Sequence, residues 1–452
     1  MNKTIFSAIT TIFISLNFLA TEKAFSKTND TQIIQSGPML GYSEMREVML
    51  WVQTKKSAKV KIVYWDKDNI KDKYSTKEIK TFEKSAFIVK LIANNVSPGK
   101  KYDYEVYVDG KKVDRGYKLQ FQTPELWQWR KDPTNFTVAF GSCNYVNEAE
   151  FDRPGKPYGG NMEIFTSIYQ KHPDIMLWGG DNVYLREADW YSKTGMLKRY
   201  THTRSAPEIQ PLLATAHNYA IWDDHDFGPN DANVSFRDKD KALNVFKLFW
   251  GNPTYGLKEA PSTFTKFEWG DAEFFLLDNR MFRTPDKKIS GEKTTLGKEQ
   301  LNWLVESLLS SKATFKMIVM GGQFINSFDG EFIETYERYK EEKKYILDTL
   351  EQQKIKGVVF LTGDRHQSEL SVLKRNNDYP LYDLTVSPFT AMPYDSSKEQ
   401  NKLRVDGTVF VDRNFSILSF RGTKKDRELF ITIFDKDGKE VWNRTIKASE
   451  LK

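Results

Sequence analysis

The spacing of hydrophobic positions divides the chain into two regions. Between residues 33 and 123, short runs rich in Val, Ile, Tyr and Trp alternate in part with polar residues, as in EVMLWVQT and KYDYEVYVDG. Turn sequences such as SPGKK and VDGKK separate these runs. A period of two that is broken by regular turns is typical of antiparallel strands. The pattern predicts a small all-β sandwich of the immunoglobulin or fibronectin type over residues 33–123.

From residue 135 onward, apolar runs alternate with stretches of helical spacing. The apolar runs include FTVAFG, DIMLWGG, YAIW, AEFFLL, FKMIVM and VVFLT. In the stretch KEQLNWLVESLLSS, one helical face carries Leu301, Leu304, Val305 and Leu308. Alternating strands and helices predict an α/β domain over residues 135–452. Residues 124–134, with two prolines and mixed polarity, form the predicted linker.

The first 26 residues have the pattern of a secretory signal peptide. A single cation, Lys3, precedes an apolar run from Ile5 to Ala20, and the small residues Ala24 and Ser26 stand at −3 and −1 of a cleavage site. The alternative is an uncleaved membrane anchor, but the run is short and contains Ser and Thr. The segment has no twin arginine, which favours the general secretory route. We therefore predict an exported protein, periplasmic or extracellular, with no membrane span after cleavage.

Composition and charge narrow the function classes. The chain is 39% hydrophobic and 14% aromatic, which predicts a packed fold and not disorder. The net charge is +6, and cations are interspersed with acidic residues, so the sequence predicts no specific nucleic-acid binding. Cys143 is the only cysteine and has no partner for an intrachain disulfide. A lone thiol in an exported protein is open to oxidation unless it is buried or bound to a metal.

Five apolar runs of the second region end in residues that bind metals. These residues are Cys143 after AFGS, Asp181 and Tyr184 after MLWGG, Asp224 and His225 after AIWD, Gln323 after IVMGG, and Asp364 and His366 after FLTG. Sites in α/β sheets gather at the carboxyl ends of the strands. Neighbouring buried carboxylates repel each other unless a cation compensates their charge. The pattern predicts one metal site where these strand ends meet.

The ligand types suit a dinuclear centre. Asp181 can bridge two cations through its two oxygens, and the phenolate of Tyr184 with the thiolate of Cys143 points to iron(III). The remaining oxygen ligands suit a hard divalent ion such as calcium, with zinc, manganese and magnesium as alternatives. Two metals roughly 3.5–4 Å apart would hold a phosphoryl oxygen and activate a water molecule.

Other polar residues near these motifs have predicted roles beside the metals. His225 is a candidate to protonate a leaving group or to stabilise charge on the phosphoryl group. Arg280 has two interpretations: a structural pair with Asp278, or a bidentate phosphate clamp. We expect Asp223 and Asp226 to orient their neighbours. Three further histidines are predicted to be structural or exposed: His172, His202 and His217.

The motifs GSC, GGDNVY, WDDHD, LLDNRMFR and TGDRH occur in this order, and they resemble those of the alkaline phosphatase D (PhoD) type of metallophosphatase. That group belongs to the calcineurin-like and purple-acid-phosphatase-like superfamily. The resemblance extends from about residue 33 to the C-terminus. It implies a four-layer α/β/β/α catalytic domain that hydrolyses phosphomonoesters or phosphodiesters at a centre of iron(III) and calcium.

Motif matching carries the ligand set over residue by residue. The resemblance implies that His225 contacts the reacting phosphoryl group. It implies that iron is held by Cys143, Asp181, Tyr184 and His366. It implies that the second metal is held by Asp181, Asp224 and Asp364, together with Gln323.

The sequence therefore predicts an exported, metal-dependent phosphoric ester hydrolase acting on a small molecule or a polymer. Nucleotides, phospholipid head groups and teichoic-acid-like polymers are all open as substrates, and so are monoesters and diesters. The alternative is a non-enzymatic secreted binding protein that uses the β-sandwich and keeps a degenerate phosphatase scaffold. A third hypothesis is a dinuclear hydrolase of another ester class. The complete ligand set favours the first.

Overall fold

The computed structural model describes residues 33–328, 330, 333–376, 378–396 and 399–452. The predicted signal peptide at residues 1–26 lies outside the described residues. Across the described ranges, no helix has the length and hydrophobicity needed to cross a bilayer.

The N-terminal region consists of short strands, as predicted. They are β1 (Ile34–Ser43), β2 (Val48–Thr54), β3 (Lys59–Asp66), β4 (Asn69–Ser75), β5 (Ile79–Lys80), β6 (Ile88–Ala93), β7 (Lys101–Val108), β8 (Lys111–Val113) and β9 (Gln120–Gln122). A 3-10 helix, Glu83–Ser85, precedes β6.

The second region alternates strands and helices. Its strands are β10 (Phe136–Gly141), β11 (Ile175–Gly179), β12 (His217–Ile221), β13 (Thr265–Trp269), β14 (Ala272–Leu276), β15 (Phe315–Met320), β16 (Val358–Thr362), β17 (Glu369–Arg375), β18 (Asp378–Thr385), β19 (Asn414–Arg421), β20 (Glu428–Asp435) and β21 (Glu440–Lys447). Its helices are α1 (Glu163–Gln170), α2 (Lys193–Arg204), α3 (Gln210–Leu213), α4 (Asp224–Phe227), α5 (Lys239–Phe249), α6 (Lys298–Ser310) and α7 (Lys340–Gln352). Further 3-10 helices are Pro207–Ile209, Tyr336–Tyr339 and Ala448–Leu451.

Two large sheets pack face to face in this region. One has nine strands in the order β21-β20-β19-β10-β11-β12-β1-β2-β6, and the other has six in the order β13-β14-β15-β16-β18-β17. Leu177 and Tyr219 of the first sheet share a core with Phe274 and Met317 of the second. The ring of Tyr219 stacks on that of Phe267 with centroids 3.7 Å apart. Burial of these side chains is the main force that holds the sheets together.

Helices cover the outer face of each sheet. Residues of α1, α2, α3 and α5 pack with Met176 and Trp178 of β11 and with Ala220 of β12. Helices α6 and α7 contribute Leu304 and Ile346 to the core that includes the six-stranded sheet. The order of layers is therefore helix, sheet, sheet, helix. The predicted four-layer α/β/β/α fold, preceded by an all-β region, is confirmed.

The N-terminal region shares a sheet with the second region. Strands β1, β2 and β6 extend the nine-stranded sheet, because Leu40 of β1 pairs in parallel with His217 of β12. A smaller sheet, β4-β3-β7-β8 with β5 and β9 at its sides, faces them across a core that includes Val52, Ile62 and Phe121. One layer of the predicted sandwich is thus part of the nine-stranded sheet. The domain boundaries at 123 and 135 stay a prediction.

Helix α2 shows why periodicity missed one element of the outer layer. Ser192 caps the helix by accepting a hydrogen bond from the backbone N–H of Gly195 at 3.0 Å. The buried face includes Met196 and Tyr200, but also Arg199 and other polar side chains. A face that mixes cations with apolar residues has no hydrophobic stripe for the sequence to reveal.

Candidate metal centre

The carboxyl ends of strands from both large sheets converge at one buried crevice. Three overlapping groups of side chains there have ligand atoms within 4.8 Å of one another: Cys143, Asp181 and His366; Asp181, Asp224 and His225; and Asp223, Asp224 and Asp364. Asp181 belongs to the first two groups and Asp224 to the last two. The structure therefore brings together seven residues that come from the ends of β10, β11, β12 and β16.

The backbone at four of these positions is in the left-handed region. Cys143, Asp181, Asp364 and His366 have φ values of 61°, 51°, 66° and 54°. Side chains with a Cβ adopt this conformation at a cost, and such residues cluster at functional sites. The chain therefore turns sharply after β10, β11 and β16, and this turn directs several side chains toward the same crevice.

The thiol of Cys143 lies at the first end of the crevice. Its Sγ is 3.6 Å from Oδ2 of Asp181, and it accepts a hydrogen bond from the hydroxyl of Ser387 at 3.1 Å. Burial, followed by the charges of Asp181 and Asp364, raises the pKa of the thiol well above its usual range. Such a thiol is protonated unless a cation favours the thiolate.

His366 and Tyr184 meet beside this thiol. The Tyr184 hydroxyl is 3.1 Å from Nε2 of His366, and Nδ1 of His366 is 2.6 Å from the carbonyl oxygen of Met392. The carbonyl requires a proton on Nδ1, which leaves the lone pair on Nε2 directed toward Tyr184. Burial lowers the pKa of His366 to about 4, so its imidazole is neutral in neutral solution. A neutral imidazole fixed by a carbonyl is the form that binds metals.

The carboxylates of the crevice raise one another's pKa values. Burial raises the pKa of Asp181 well above its usual range, and the charge of Asp224 adds to this. Burial and the charge of Asp223 act in the same direction on the pKa of Asp364. For Asp224, burial opposes ionisation, but His225 and Arg280 favour it and bring the pKa down to about 2. Clustered buried carboxylates of this kind need a cation to stay ionised together.

Asp223 carries a further oxygen that is free to bind an ion. Its Oδ1 accepts hydrogen bonds from the backbone N–H of Asp224 at 3.0 Å and the amide of Asn279 at 2.8 Å. Its Oδ2 is buried and has no hydrogen-bond partner among the described residues. A Cβ at Gly321 would lie 2.2 Å from this oxygen, so glycine is needed at that position. The unpaired oxygen of Asp223 and the neighbouring carboxylate oxygens of Asp224 and Asp364 fit a bound cation.

Asp226 has the orienting role that the sequence predicted. Its carboxylate accepts hydrogen bonds from the backbone N–H groups of Asp223 and Asn182, each at 3.1 Å, and completes a capping box at the start of α4. The box holds the turn that presents Asp224 and His225 to the crevice.

The guanidinium of Arg280 is fully buried among carboxylates. It forms ion pairs with Asp223 and Glu334, and it lies 3.5 Å from Oδ1 of Asp224. Asp278 accepts a hydrogen bond from the backbone N–H of Arg280 at 2.9 Å, whereas the ion pairs of the guanidinium are with Asp223 and Glu334. The interpretation of Arg280 as a phosphate clamp stays a prediction. The turn after β14 brings the carboxylate of Asp278 to the backbone and directs the guanidinium toward Asp223.

His225 faces the crevice from the start of α4. Its ring stacks on that of Tyr184 with centroids 4.2 Å apart, and its Nε2 is 3.9 Å from Oδ2 of Asp224. Its backbone N–H donates to Oδ1 of Asp181 at 3.2 Å. These contacts hold the imidazole beside the carboxylates with one face of the ring covered.

Gln323 lies in a separate polar network. Its amide donates to Glu369 and Thr385, both at 2.8 Å, and its carbonyl oxygen accepts from Asn326 at 2.7 Å. The carbonyl oxygen keeps one lone pair, so the predicted ligand role of Gln323 is untested by these contacts.

Three residues near the site were not among the residues predicted from the sequence to form it. Ser387 donates to Cys143, Glu334 binds Arg280, and the hydroxyl of Tyr158 is 3.4 Å from Nδ1 of His366. Tyr158 and Glu334 lie in loops outside the strands, where no periodicity marks them. Ser387 follows the end of β18, and this position was its only available signal.

Comparison with known proteins assigns the chain to a family. A family model described as PhoD-like phosphatase matches residues 138–417, which is more than half of the chain. The chain belongs to the PhoD-like phosphatase family. A second family model, a domain of unknown function (DUF7800), matches residues 31–126.

Relatives of this PhoD-like chain agree with the assignment. Alkaline phosphatase D of Bacillus subtilis (strain 168) is 23% identical over 343 residues, which cover 63% of this chain and 57% of that protein. The match therefore spans little more than half of the curated relative's length. A solved structure of PhoD superposes with a TM-score of 0.74 at 16% identity and covers 92% of this chain and 93% of its own. A purple acid phosphatase from yellow lupin (Lupinus luteus) seeds has a TM-score of 0.67 at 13% identity, covering 91% and 74%. Both structures share the fold.

Proposed function

We propose that this chain is an exported, metal-dependent phosphoric ester hydrolase, a phosphomonoesterase or phosphodiesterase, with a dinuclear centre. One observation carries the proposal: Asp181 and Asp224 each belong to two of three overlapping ligand groups in one buried crevice. A carboxylate shared between two groups of ligands is the arrangement that a pair of metal ions requires. Membership of the PhoD-like phosphatase family supports the same reaction class.

The proposed ligands divide by their chemistry. Iron(III) would be held by Cys143, Asp181, Tyr184 and His366, since thiolate and phenolate favour it. Calcium would be held by Asp181, Asp224 and Asp364, with Gln323 and the unpaired oxygen of Asp223 as further ligands. Zinc, manganese and magnesium are the alternatives. Bound ions would orient the phosphoryl group and lower the pKa of a water molecule that attacks it.

The chain's own side chains have the remaining roles. His225, held between the ring of Tyr184 and the carboxylate of Asp224, would donate a hydrogen bond to the phosphoryl group or a proton to the leaving oxygen. Arg280 is a positioning residue, because its guanidinium is bound to Asp223 and Glu334. It fixes Asp223 and adds positive charge to a crowded set of carboxylates.

Turnover of chromogenic esters tests the proposal. The metal-loaded protein should hydrolyse bis(4-nitrophenyl) phosphate or 4-nitrophenyl phosphate, and it should not prefer 4-nitrophenyl acetate. Asp224→Asn should lower phosphate ester turnover by about a hundredfold to a thousandfold, since single charge-stabilising groups contribute about 10²–10³. Asp240→Asn, on the exposed side of α5, is the matched control and should leave turnover unchanged. No turnover of any ester would favour the binding-protein alternative, and a preference for the acetate would favour another ester class.

Export is tested separately from catalysis. The proposal predicts that the protein recovered outside the cytoplasm begins after Ser26, as N-terminal sequencing would show. An intact N-terminus on membrane-bound protein would support an uncleaved anchor.

A further inference from the structure

A cavity of about 480 Å³ opens beside His225 and Tyr184. Two segments form most of its lining, one within residues 145–158 and the other within residues 184–190. Its volume lies in the range of small-molecule sites, about 300–1,000 Å³. The proposed phosphoryl chemistry uses only the end of the cavity at His225 and Tyr184, which leaves the rest of the cavity without an assigned ligand.

Phenyl, phenol and indole rings make up about a third of the side chains that line this cavity. The five rings are those of Tyr145, Phe151, Tyr158, Tyr184 and Trp190. The rings of Tyr145 and Tyr158 meet edge to face at 4.9 Å, and Tyr145 lies 5.0 Å from Tyr184. Clustered aromatic side chains offer faces and edges on which another planar ring can stack. We call these five residues the aromatic subsite.

An ion pair holds the two walls in place. Arg186 binds Asp152 at 2.9 Å and the carbonyl oxygen of Val146 at 2.7 Å, and its guanidinium lies 3.8 Å from the centre of the Tyr145 ring. The Tyr145 hydroxyl donates to the same Asp152 carboxylate at 2.8 Å. These groups are largely buried, so the walls are ordered before a ligand enters, which reduces the entropy lost on binding.

The cavity is also tied to the reacting centre. The backbone N–H of Leu185 donates to the carbonyl oxygen of His225 at 3.0 Å, and the ring of Tyr184 both lines the cavity and stacks on His225. A group bonded to a phosphoryl oxygen near His225 would therefore extend directly into the cavity. The exposed charges at its lining are mixed, with Arg153 and Lys156 against Glu187, so they select for no single charge.

We propose that the aromatic subsite binds the alcohol part of the phosphate ester and selects leaving groups that carry a planar aromatic ring of nucleoside size. This inference rests on the proposed hydrolase function. Bound metals and His225 would contact only the phosphoryl group, so the crevice does not determine which alcohol the ester carries. The aromatic subsite would determine it.

Calorimetric binding of two matched monoesters tests the subsite without relying on turnover. Adenosine 5′-monophosphate and ribose 5-phosphate share the phosphate and the primary ester bond, and the nucleobase is the main difference between them. We expect the full-length protein to bind the nucleotide about tenfold to a hundredfold more tightly, as stacking of one base on an aromatic side chain provides. In Trp190→Ala the preference should fall to within about threefold, with binding of ribose 5-phosphate unchanged.

Two further variants keep this test decisive. Trp129→Ala, which removes an indole that is 94% exposed, should keep the full preference. Phe151→Ala should reduce the preference even where Trp190→Ala fails to fold, because Phe151 lies on the other segment of the cavity lining. Equal binding of the two ligands by the unmodified protein would overturn the subsite. A preference that survives both Trp190→Ala and Phe151→Ala would also overturn it.

Hydrolysis of the same two esters, measured in parallel, separates the subsite from the hydrolase. A tighter binding of the nucleotide without hydrolysis of either ester would refute the hydrolase and support an aromatic binding site. Hydrolysis of both esters with equal binding would refute the subsite and support the hydrolase.

Discussion

Buried polar residues lie at both ends of strand β12, but they are paired with hydrogen-bond partners at the first end and crowded against like charges at the second. At the first end, Nδ1 of His217 lies 3.0 Å from the carbonyl oxygen of Gly41, and its Nε2 accepts from the backbone N–H of Gln122 at 3.4 Å. Asn218, the next residue, donates to carbonyl oxygens including that of Leu40 at 3.0 Å and accepts from the indole of Trp178 at 3.0 Å. These contacts join β12 to the N-terminal region.

At the second end, carboxylates face one another. Asp223 and Asp224 follow shortly after β12: Asp224 lies within ligand distance of Asp181 and Asp364, and Asp223 within ligand distance of Asp364. Buried polar groups with complete hydrogen bonds stabilise a fold, whereas clustered like charges destabilise it unless a ligand is bound. Burial alone therefore does not identify a functional residue. What identifies the functional end is a surplus of buried carboxylates over the cations that face them.

The largest expected effect is at the second end of β12. Asp181→Asn should reduce phosphate ester turnover by about a thousandfold, the upper end of the range for one charge-stabilising group, because it removes the carboxylate common to two ligand groups. The same change should leave the metal-free protein at least as stable, since it removes a charge from a repelling cluster. Turnover and urea unfolding in chelator measure the two effects.

Asn218→Ala is the counterpart of that variant at the first end. It leaves several buried groups without partners, so the free energy of unfolding should fall by about 2–4 kcal/mol, while turnover per folded molecule is retained. If Asp181→Asn lowered the metal-free stability as much as Asn218→Ala does, the contrast between the two ends would be wrong.

The next largest effect is expected on stability, from loss of the ion pairs of Arg280. Arg280→Ala leaves Asp223 and Glu334 buried without their partner, and we expect a loss of about 3–5 kcal/mol in the free energy of unfolding. Arg237→Ala is the matched control, because Arg237 pairs with Asp238 from a side chain that is 70% exposed, and it should cost less than about 1 kcal/mol. Denaturant unfolding of both variants decides this, and a loss at Arg280 as small as that at Arg237 would refute the positioning role.

Acidification should weaken the first end of β12. Burial lowers the pKa of His217 from 6.5 to about 4, so the unfolded chain binds a proton that the folded chain excludes. The stabilisation from neutral His217 is complete above pH 6.5 and is lost as the pH falls toward 4, by up to about 3 kcal/mol. His217→Asn should flatten this part of the stability profile, and His172→Asn, at an exposed histidine, should not. Identical profiles for wild type and His217→Asn would contradict the assignment.

The smallest change in the free energy of unfolding is expected at Trp129, whose side chain is mostly exposed and lies outside the crevice. Trp129→Ala should change the free energy of unfolding by no more than about 0.5 kcal/mol, since the side chain is 94% exposed. Trp127, two residues earlier, donates its indole N–H to the carbonyl oxygen of Gly270 at 3.0 Å, and its loss should be clearly larger. Thermal unfolding of the two variants makes the comparison.

Local patterns were sufficient to predict most of the fold and the members of the crevice. Apolar runs predicted β10, β11, β12 and β16. Polar residues shortly after these strands lie together in the three groups that could hold a metal ion, because parallel strands present their carboxyl ends at one edge. The pairing of Leu40 with His217 was not predictable, since strand order depends on contacts between distant segments. The same holds for Glu334, whose place beside Arg280 is set by a loop.

Elemental analysis shows directly whether the crevice binds metal ions. The protein would be purified from its exported compartment without chelator, with Cys143→Ala beside it. We expect about two metal ions per chain in the unmodified protein, iron and calcium among them, and loss of the iron in Cys143→Ala. A chain that contains no metal and binds none on reconstitution would show that the crevice is not a metal centre.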